Sequence, residues 1–206
     1  MLNVGLTGGI GSGKTKVAQA LKARGAHVVD FDSFAHEAQK PHTPAWKKIV
    51  AAFGEQITDE GGVINRQKLG GVVFNNREKL KELCAIVHPE VIYRWQEEVD
   101  LVAKEKSEAI IIAEVPLLLE VRLQRLFDVT LLVYCPQEVQ VARVMERNCL
   151  CREAVLARIA VQLPLAEKVK MADFCIDNSG EFSETSKRID QIWEKFVELE
   201  NTRRNR

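Results

Sequence analysis

Gly8-Gly9-Ile10-Gly11-Ser12-Gly13-Lys14-Thr15 satisfies the pattern G-x-x-x-x-G-K-[ST] in full. An apolar stretch, Leu2 to Thr7, precedes it, and a helical pattern follows from about Lys14. Each residue type has a physical reason. Glycines let the backbone curl so that successive N–H groups point inward at phosphate oxygens. The following helix adds the positive end of its dipole. Lys14 brings a mobile charge to the β- and γ-phosphates, and the Thr15 hydroxyl suits Mg²⁺. The motif therefore predicts a nucleoside triphosphate, with magnesium, held at the edge of a sheet.

The rest of the chain fits that frame. Five short apolar runs, Leu2 to Thr7, His27 to Phe31, Ala109 to Val115, Val129 to Cys135 and Phe174 to Asp177, read as strands. Ile110-Ile111-Ile112 and Leu131-Leu132-Val133 are continuous, as in strands covered on both faces. Helical patterns separate the runs. Gly25 offers a stop after the first helix, and Ile189, Ile192, Trp193, Phe196 and Leu199 form one stripe of the last. The expected fold is α/β: a P-loop NTPase fold with a five-stranded parallel sheet flanked by helices.

Two gaps exceed a simple crossover. The stretch from Ser33 to Glu108 is mostly helical in pattern and holds Trp46 and Trp95, which read as packing for that insertion or, less simply, as stacking residues. The stretch from Pro136 to Asp173 is rich in Arg and Glu. Both read as insertions on the sheet's carboxyl edge, where open α/β sheets bind ligands. The 206 residues suit one domain, 1–206.

Lys and Arg together number 29, as do Asp and Glu, so no global field draws the chain to nucleic acid or membrane. No apolar run approaches the roughly 18 residues of a spanning helix. Met1 runs straight into a strand-like segment, and the five cysteines match no zinc spacing, so a cytoplasmic protein with free thiols is expected. The basic run Thr202 to Arg206 reads as a frayed, solvated end.

A P-loop does not say where the γ-phosphate goes. A switch GTPase would need D-x-x-G at a strand end and N-K-x-D. Asp59-Glu60-Gly61-Gly62 spells the first in a turn-like context, and N-K-x-D is absent. Transfer needs an acceptor and a base. Val28-Val29-Asp30-Phe31-Asp32 closes the second run, and from spacing alone Asp32 is either that base or a cap for the next helix.

Further motifs follow in order: Asn65-Arg66-Gln67-Lys68-Leu69, His88-Pro89, Val115-Pro116-Leu117-Leu118-Leu119-Glu120, Arg158-Ile159 with Gln162, and Ala172 to Gly180. With the P-loop and Asp32 they resemble the dephospho-CoA kinase family from about Leu2 to Gly180. The resemblance implies ATP-dependent phosphorylation of the ribose 3′-hydroxyl of 3′-dephospho-CoA, the last step to coenzyme A. It implies a core over about 1–32, 109–136 and 172–206, a helical CoA-binding insertion over about 33–108 and a lid over about 137–171. It also implies Asp32 as base, Lys14 and Arg147 as catalytic, and Gly8 to Lys16 with Arg143 on ATP. Thr15 is implied as the magnesium ligand, and Asp32, Arg66, His88, Leu117 and Leu118 as contacts to the acceptor. A monomer or weak homo-oligomer is expected.

Several positions stay open on their residues alone. Glu114 stands where the family often has Asp, so it is either tied to magnesium or a strand-end acid. Arg143 and Arg147, four apart, share one face after Pro136; they meet a phosphate there or are solvated beside Glu138 and Glu146. Asn148 replaces a common acid. Arg66 is a phosphate contact or a surface charge. His88-Pro89 is a substrate contact or the start of a helix. Another small-molecule kinase, acting on a nucleotide, shikimate or gluconate, and a nucleotide-binding switch are the competing functions.

Overall fold

The computed structural model describes residues 1–73 and 76–204. Contacts divide the chain into two units, Met1–Asp30 with Val102–Arg206, and Phe31–Leu101. The first holds a five-stranded parallel sheet: β1 (Leu2–Gly8), β2 (His27–Asp30), β3 (Ile110–Glu114), β4 (Val129–Tyr134) and β5 (Phe174–Asp177), in the order β2-β3-β1-β4-β5. All five apolar runs became strands, with ends shifted by a residue or so.

Alternation along these strands builds the core. Leu2, Val4 and Leu6 of β1, Ile110 and Ile112 of β3, and Leu131 and Val133 of β4 share one cluster. Helices α1 (Lys14–Ala23) and α9 (Phe182–Arg204) complete it with Val17, Leu21, Ile189, Ile192 and Phe196. Ile111 and Leu132 point the other way and are equally buried, which is why the runs read as continuous. Helix α1 stops as expected: Gly25 N–H donates to Lys22 O at 3.0 Å and Ala26 N–H to Leu21 O at 3.1 Å, the paired bonds of a glycine C-terminal motif.

Helices α6 (Gln137–Asn148), α7 (Arg152–Ala160) and α8 (Leu165–Met171) lie between β4 and β5. Val141, Val144 and Val155 form a small separate cluster there. The C-terminal basic run is helical rather than frayed as far as it is described: Thr202 to Arg204 close α9, and Arg203 meets Asp128 at 2.8 Å. Asn205 and Arg206 lie outside the described residues.

The second unit is helical: α2 (Phe31–Ala38), α3 (Pro44–Phe53), α4 (Arg66–Val73) and most of α5 (Arg77–Glu105). Thr43 caps α3 by accepting from the Trp46 N–H, with Pro44 at the first position. Trp95 is 3% exposed and packs tilted against Phe31, ring centres 5.5 Å apart; Trp46 donates its indole N–H to Gly62 O at 2.7 Å. Both tryptophans therefore serve packing within this unit. Asp59-Glu60-Gly61-Gly62 forms a tight turn between the bridged residues Thr58 and Ile64, not a strand end.

Two expectations are corrected here. β2 stops at Asp30 and α2 begins at Phe31, so Asp32 is the second helical residue, neither on the strand nor at the cap. Pro89 lies inside the 29-residue α5 and does not start a helix. The cap of α5 is Asn76, whose Oδ1 accepts from the N–H groups of Glu78 and Lys79.

Phe196 is fully buried and meets Phe174 edge-on at 5.3 Å. Phe196→Ala is expected to lower the unfolding free energy by about 3–5 kcal/mol, read from denaturant titration.

Candidate active site

β1 ends against β4 with Gly8 paired to Val133. A Cβ on Gly8 would lie 2.2 Å from the Val133 carbonyl oxygen, so only glycine lets the loop leave the sheet there. Gly13, at φ 90°, caps α1; its own Cβ would lie 2.2 Å from Asn178 Nδ2. Helix α1 has no side-chain cap and no acid in its first turn, which leaves the positive end of its dipole for an anion.

Asn178 holds the loop from the far side of the sheet order. Its Nδ2 donates to Ser12 O at 2.7 Å, and its Oδ1 accepts from the Thr185 hydroxyl at 2.9 Å. Asn178 and Thr185 are buried, so both bonds are shielded from water. Lys14 Nζ donates to the carbonyls of Gly8 at 2.9 Å and Gly9 at 3.4 Å.

A cavity of about 720 Å³ opens at this loop. Gly11, Gly13, Lys14, Thr15 and Lys16 line it, with Arg143 and Arg147 from α6 and Asn178, Gly180 and Phe182 from the start of α9 and the turn before it. Four cations, Lys14, Lys16, Arg143 and Arg147, and two acids, Glu146 and Glu181, line this one space. Glu138, a possible neutraliser of the two arginines, is engaged by Arg152 at 2.7 and 2.9 Å. That bond holds the Glu138 carboxyl below its ordinary range. Arg147 Nε donates to Asn148 Oδ1 at 3.0 Å, a neutral partner where an acid would have cancelled its charge. Arg143 is half-buried and donates to the Cys135 sulfur at 3.8 Å. Burial, chiefly, pushes the Cys135 thiol up, so it stays protonated beside the loop.

The Thr15 hydroxyl donates to Glu114 Oε2 at 3.2 Å. Glu114 in turn pairs in register with Asp30 of β2. Hydroxyl and carboxylate oxygens are hard donors, the kind magnesium takes alongside substrate phosphates. No group of three or more His, Cys, Asp or Glu suited to a metal occurs among the described residues, so a wholly protein-made cage is not what this donor set offers.

The expected site residues divide. Gly8, Gly11, Gly13, Lys14, Thr15, Lys16, Arg143 and Arg147 come together at or beside the cavity. Ser12 is buried, Gly9 borders a different cavity, and the Ile10 N–H is taken by Gln162 Oε1 at 3.0 Å. Leu117 is 44% exposed, whereas Leu118 is fully buried, with Cδ2 close to Gly5. The Leu118 side chain belongs to the core.

Asp32, Arg66 and His88 lie in the Phe31–Leu101 unit. Asp32 is exposed in the first turn of α2, where its charge complements the helix dipole. Arg66 begins α4 and donates to His36 Nδ1. His88 is half-buried in α5, and that burial pushes its imidazole below the ordinary value, toward the neutral form near pH 7. Sequence reasoning gave no role to Asn178, Gln162 or Gln140. Gln162 and Asn178 stand inside quoted motifs, but their partners lie 152 and 166 positions away, so no local pattern announces the contacts they make.

A parallel sheet of this order, a glycine-bounded loop at its centre and a cation-lined cavity define a P-loop nucleotide-binding fold of the small-molecule-kinase kind. The family model described as dephospho-CoA kinase matches residues 2–184. The dephospho-CoA kinase of Syntrophus aciditrophicus is 39% identical over 204 residues, covering 99% of this chain and 87% of that protein. A Thermus thermophilus protein of known structure aligns with a TM-score of 0.80 at 34% identity, covering 94% of this chain and 97% of the other. The dephospho-CoA kinase of Campylobacter jejuni aligns at 0.71 and 26%, covering 95% and 97%. The chain belongs to the dephospho-CoA kinase family.

Asn178→Ala leaves Ser12 O and the Thr185 hydroxyl without their partner in a buried setting. It is expected to cost about 2–4 kcal/mol of stability in urea unfolding. The same substitution should weaken ATP binding in titration calorimetry, because the loop loses its tether.

Proposed function

We propose that this chain transfers the γ-phosphoryl group of ATP to the ribose 3′-hydroxyl of 3′-dephospho-CoA, releasing coenzyme A and ADP. The cation-lined P-loop cavity carries this reading, in a chain matched by one family over residues 2–184. The acceptor's O3′ attacks the γ-phosphorus while the bond from that phosphorus to the β–γ bridging oxygen breaks. ADP leaves with that oxygen, and the 3′-hydroxyl proton passes to the Asp32 carboxylate. Asp32 suits the base role because it follows the end of β2 by two residues, and open α/β sheets bind ligands beyond the carboxyl ends of their strands. A largely dissociative transition state lets the proton leave late, so an ordinary carboxylate is basic enough.

Lys14 and amides of the loop from Gly8 to Lys16, apart from that of Ile10, whose N–H is held by Gln162, bind the β- and γ-phosphates, and Arg143 and Arg147 meet the charge that develops on transfer. When bound, magnesium neutralises charge on the β- and γ-oxygens. Thr15 would hold it directly, and Glu114, already bonded to that hydroxyl, would orient the site. Residues 137–171 act as the lid and 33–108 as the acceptor-binding insertion, in a core formed by 1–32, 109–136 and 172–206. Arg66 and His88 are contacts to the acceptor, the first by charge and the second as a neutral ring. Exposed Leu117 adds an apolar contact. A cytoplasmic enzyme, monomeric or weakly associated, completes the reading.

The test is direct. Purified protein with Mg·ATP and separate candidate acceptors should give coenzyme A by mass spectrometry. Reaction with another acceptor and none with 3′-dephospho-CoA would overturn the assignment. Asp32→Asn should keep ATP affinity and lower kcat by at least about a hundredfold. Near-normal turnover would remove Asp32 from the chemistry. Arg147→Ala should lower kcat with the thermal midpoint unchanged; an unchanged rate would return that arginine to the solvated surface.

A further inference from the structure

Ile10, at the crown of the P-loop, is tied twice to the segment between β4 and β5. Its side chain packs against the cluster formed by Val141, Val144 and Val155. Its N–H donates to Gln162 Oε1 at 3.0 Å. Gln162 follows α7 and precedes the Leu163-Pro164 turn into α8. That turn is itself anchored. The Leu163 N–H donates to Glu120 Oε1 at 3.1 Å, and Lys168 Nζ meets the same oxygen at 2.6 Å.

The anchor is unusual in its depth. The Lys168 side chain is 2% exposed and that of Glu120 14%. The ammonium contact is an ion pair rather than an aligned hydrogen bond, and Glu120 Oε2 has no hydrogen-bond partner among the described residues. Desolvating two charges so deeply returns little net stability. A buried pair of this kind is better accounted for by what it positions. What it positions is the turn that carries Gln162, beside a cavity of about 340 Å³ bordered by Gly9, Gln140 and Lys168.

We propose that Gln162 is a positioning residue for the P-loop. It fixes the Ile10 amide from outside the phosphate cavity, and the Glu120–Lys168 pair keeps it in place by anchoring the Leu163 turn. The curl from Gly9 to Gly11 is then set before nucleotide arrives, and the nucleotide grip is coupled to the lid segment through one hydrogen bond and one apolar contact. This rests on the ATP-dependent reading of the site.

Gln162→Met keeps length and bulk and removes the acceptor. Binding of a non-hydrolysable ATP analogue should weaken by roughly five- to tenfold, the effect of one hydrogen bond to an ordered loop. KM for ATP should rise with it, while KM for 3′-dephospho-CoA and the thermal midpoint stay unchanged. The paired replacement Glu120→Leu with Lys168→Met removes both charges and leaves neither buried alone. It should reproduce the loss, and adding Gln162→Met to it should add nothing, because all three residues act through one contact. Unchanged analogue affinity in Gln162→Met overturns the proposal, as do additive losses in the combined variant. The analogue titration needs no acceptor. A wild-type protein that binds the analogue yet leaves 3′-dephospho-CoA unphosphorylated would overturn the substrate assignment and not the role of Gln162.

Discussion

The close approach of Gly8 to the Val133 carbonyl governs everything built at the sheet edge. Parallel pairing of β1 with β4 brings these two backbones together in register, and a Cβ at Gly8 would lie 2.2 Å from that oxygen. From there the chain must turn at once, because the next residues are a loop and not a strand. The turn delivers Lys14 and Thr15 to the first positions of α1, where the uncapped helix end already favours an anion. β4 in turn feeds α6, which carries Arg143 and Arg147 to the same cavity. One steric constraint thus sets the spacing between the grip and its arginines.

The loop is then held by residues far from it in sequence. Asn178 fixes Ser12 O from the β5 side, and Gln162 fixes the Ile10 N–H from the α7–α8 turn. The two bonds address opposite chemistry, a carbonyl and an amide, so together they constrain the loop's backbone orientation at two points. Lys14 adds a third hold by donating to the carbonyls of Gly8 and Gly9. An anion arriving at the loop meets amides whose direction is already set, which spares the reorganisation a mobile loop would require.

What the sequence disclosed follows from the range of the forces involved. Strands β3 and β4 were readable because Ile110-Ile111-Ile112 and Leu131-Leu132-Val133 are apolar on both faces, a local signature of a covered parallel sheet. The P-loop was readable because its glycines answer a local steric demand. The end of β2 was not: Phe31 is as apolar as the strand before it, but it packs on Trp95, sixty-four positions away, as the first residue of α2. Pro89 misled for a similar reason, since a long helix tolerates an interior proline when its flanks pack, as Val87 and Val91 do here. The motif alone does not say that the Leu118 side chain is buried. Adjacent residues of an irregular turn diverge, so Leu117 faces solvent and Leu118 the core. The tethers of Asn178 and Gln162 span 166 and 152 positions and leave no periodic trace.

Charge placement at the site is decided by which acids are already committed. Glu138 and Glu146 flank Arg143 and Arg147 along α6, so counting residues would neutralise the pair. In the fold Glu138 faces Arg152 instead, held at 2.7 Å. Asn148 gives Arg147 a neutral partner. Two guanidinium groups four residues apart on one helix then repel, a cost that an anion between them would reverse in sign. The cavity that both arginines line offers a place for such an anion, and its walls hold Lys14 and Lys16 against only Glu146 and Glu181. The concentration of positive charge is therefore local, in a chain whose Lys plus Arg and Asp plus Glu both total 29. It arises from the pairing of one glutamate with an arginine outside the site, and from one asparagine where an acid would have closed the circuit.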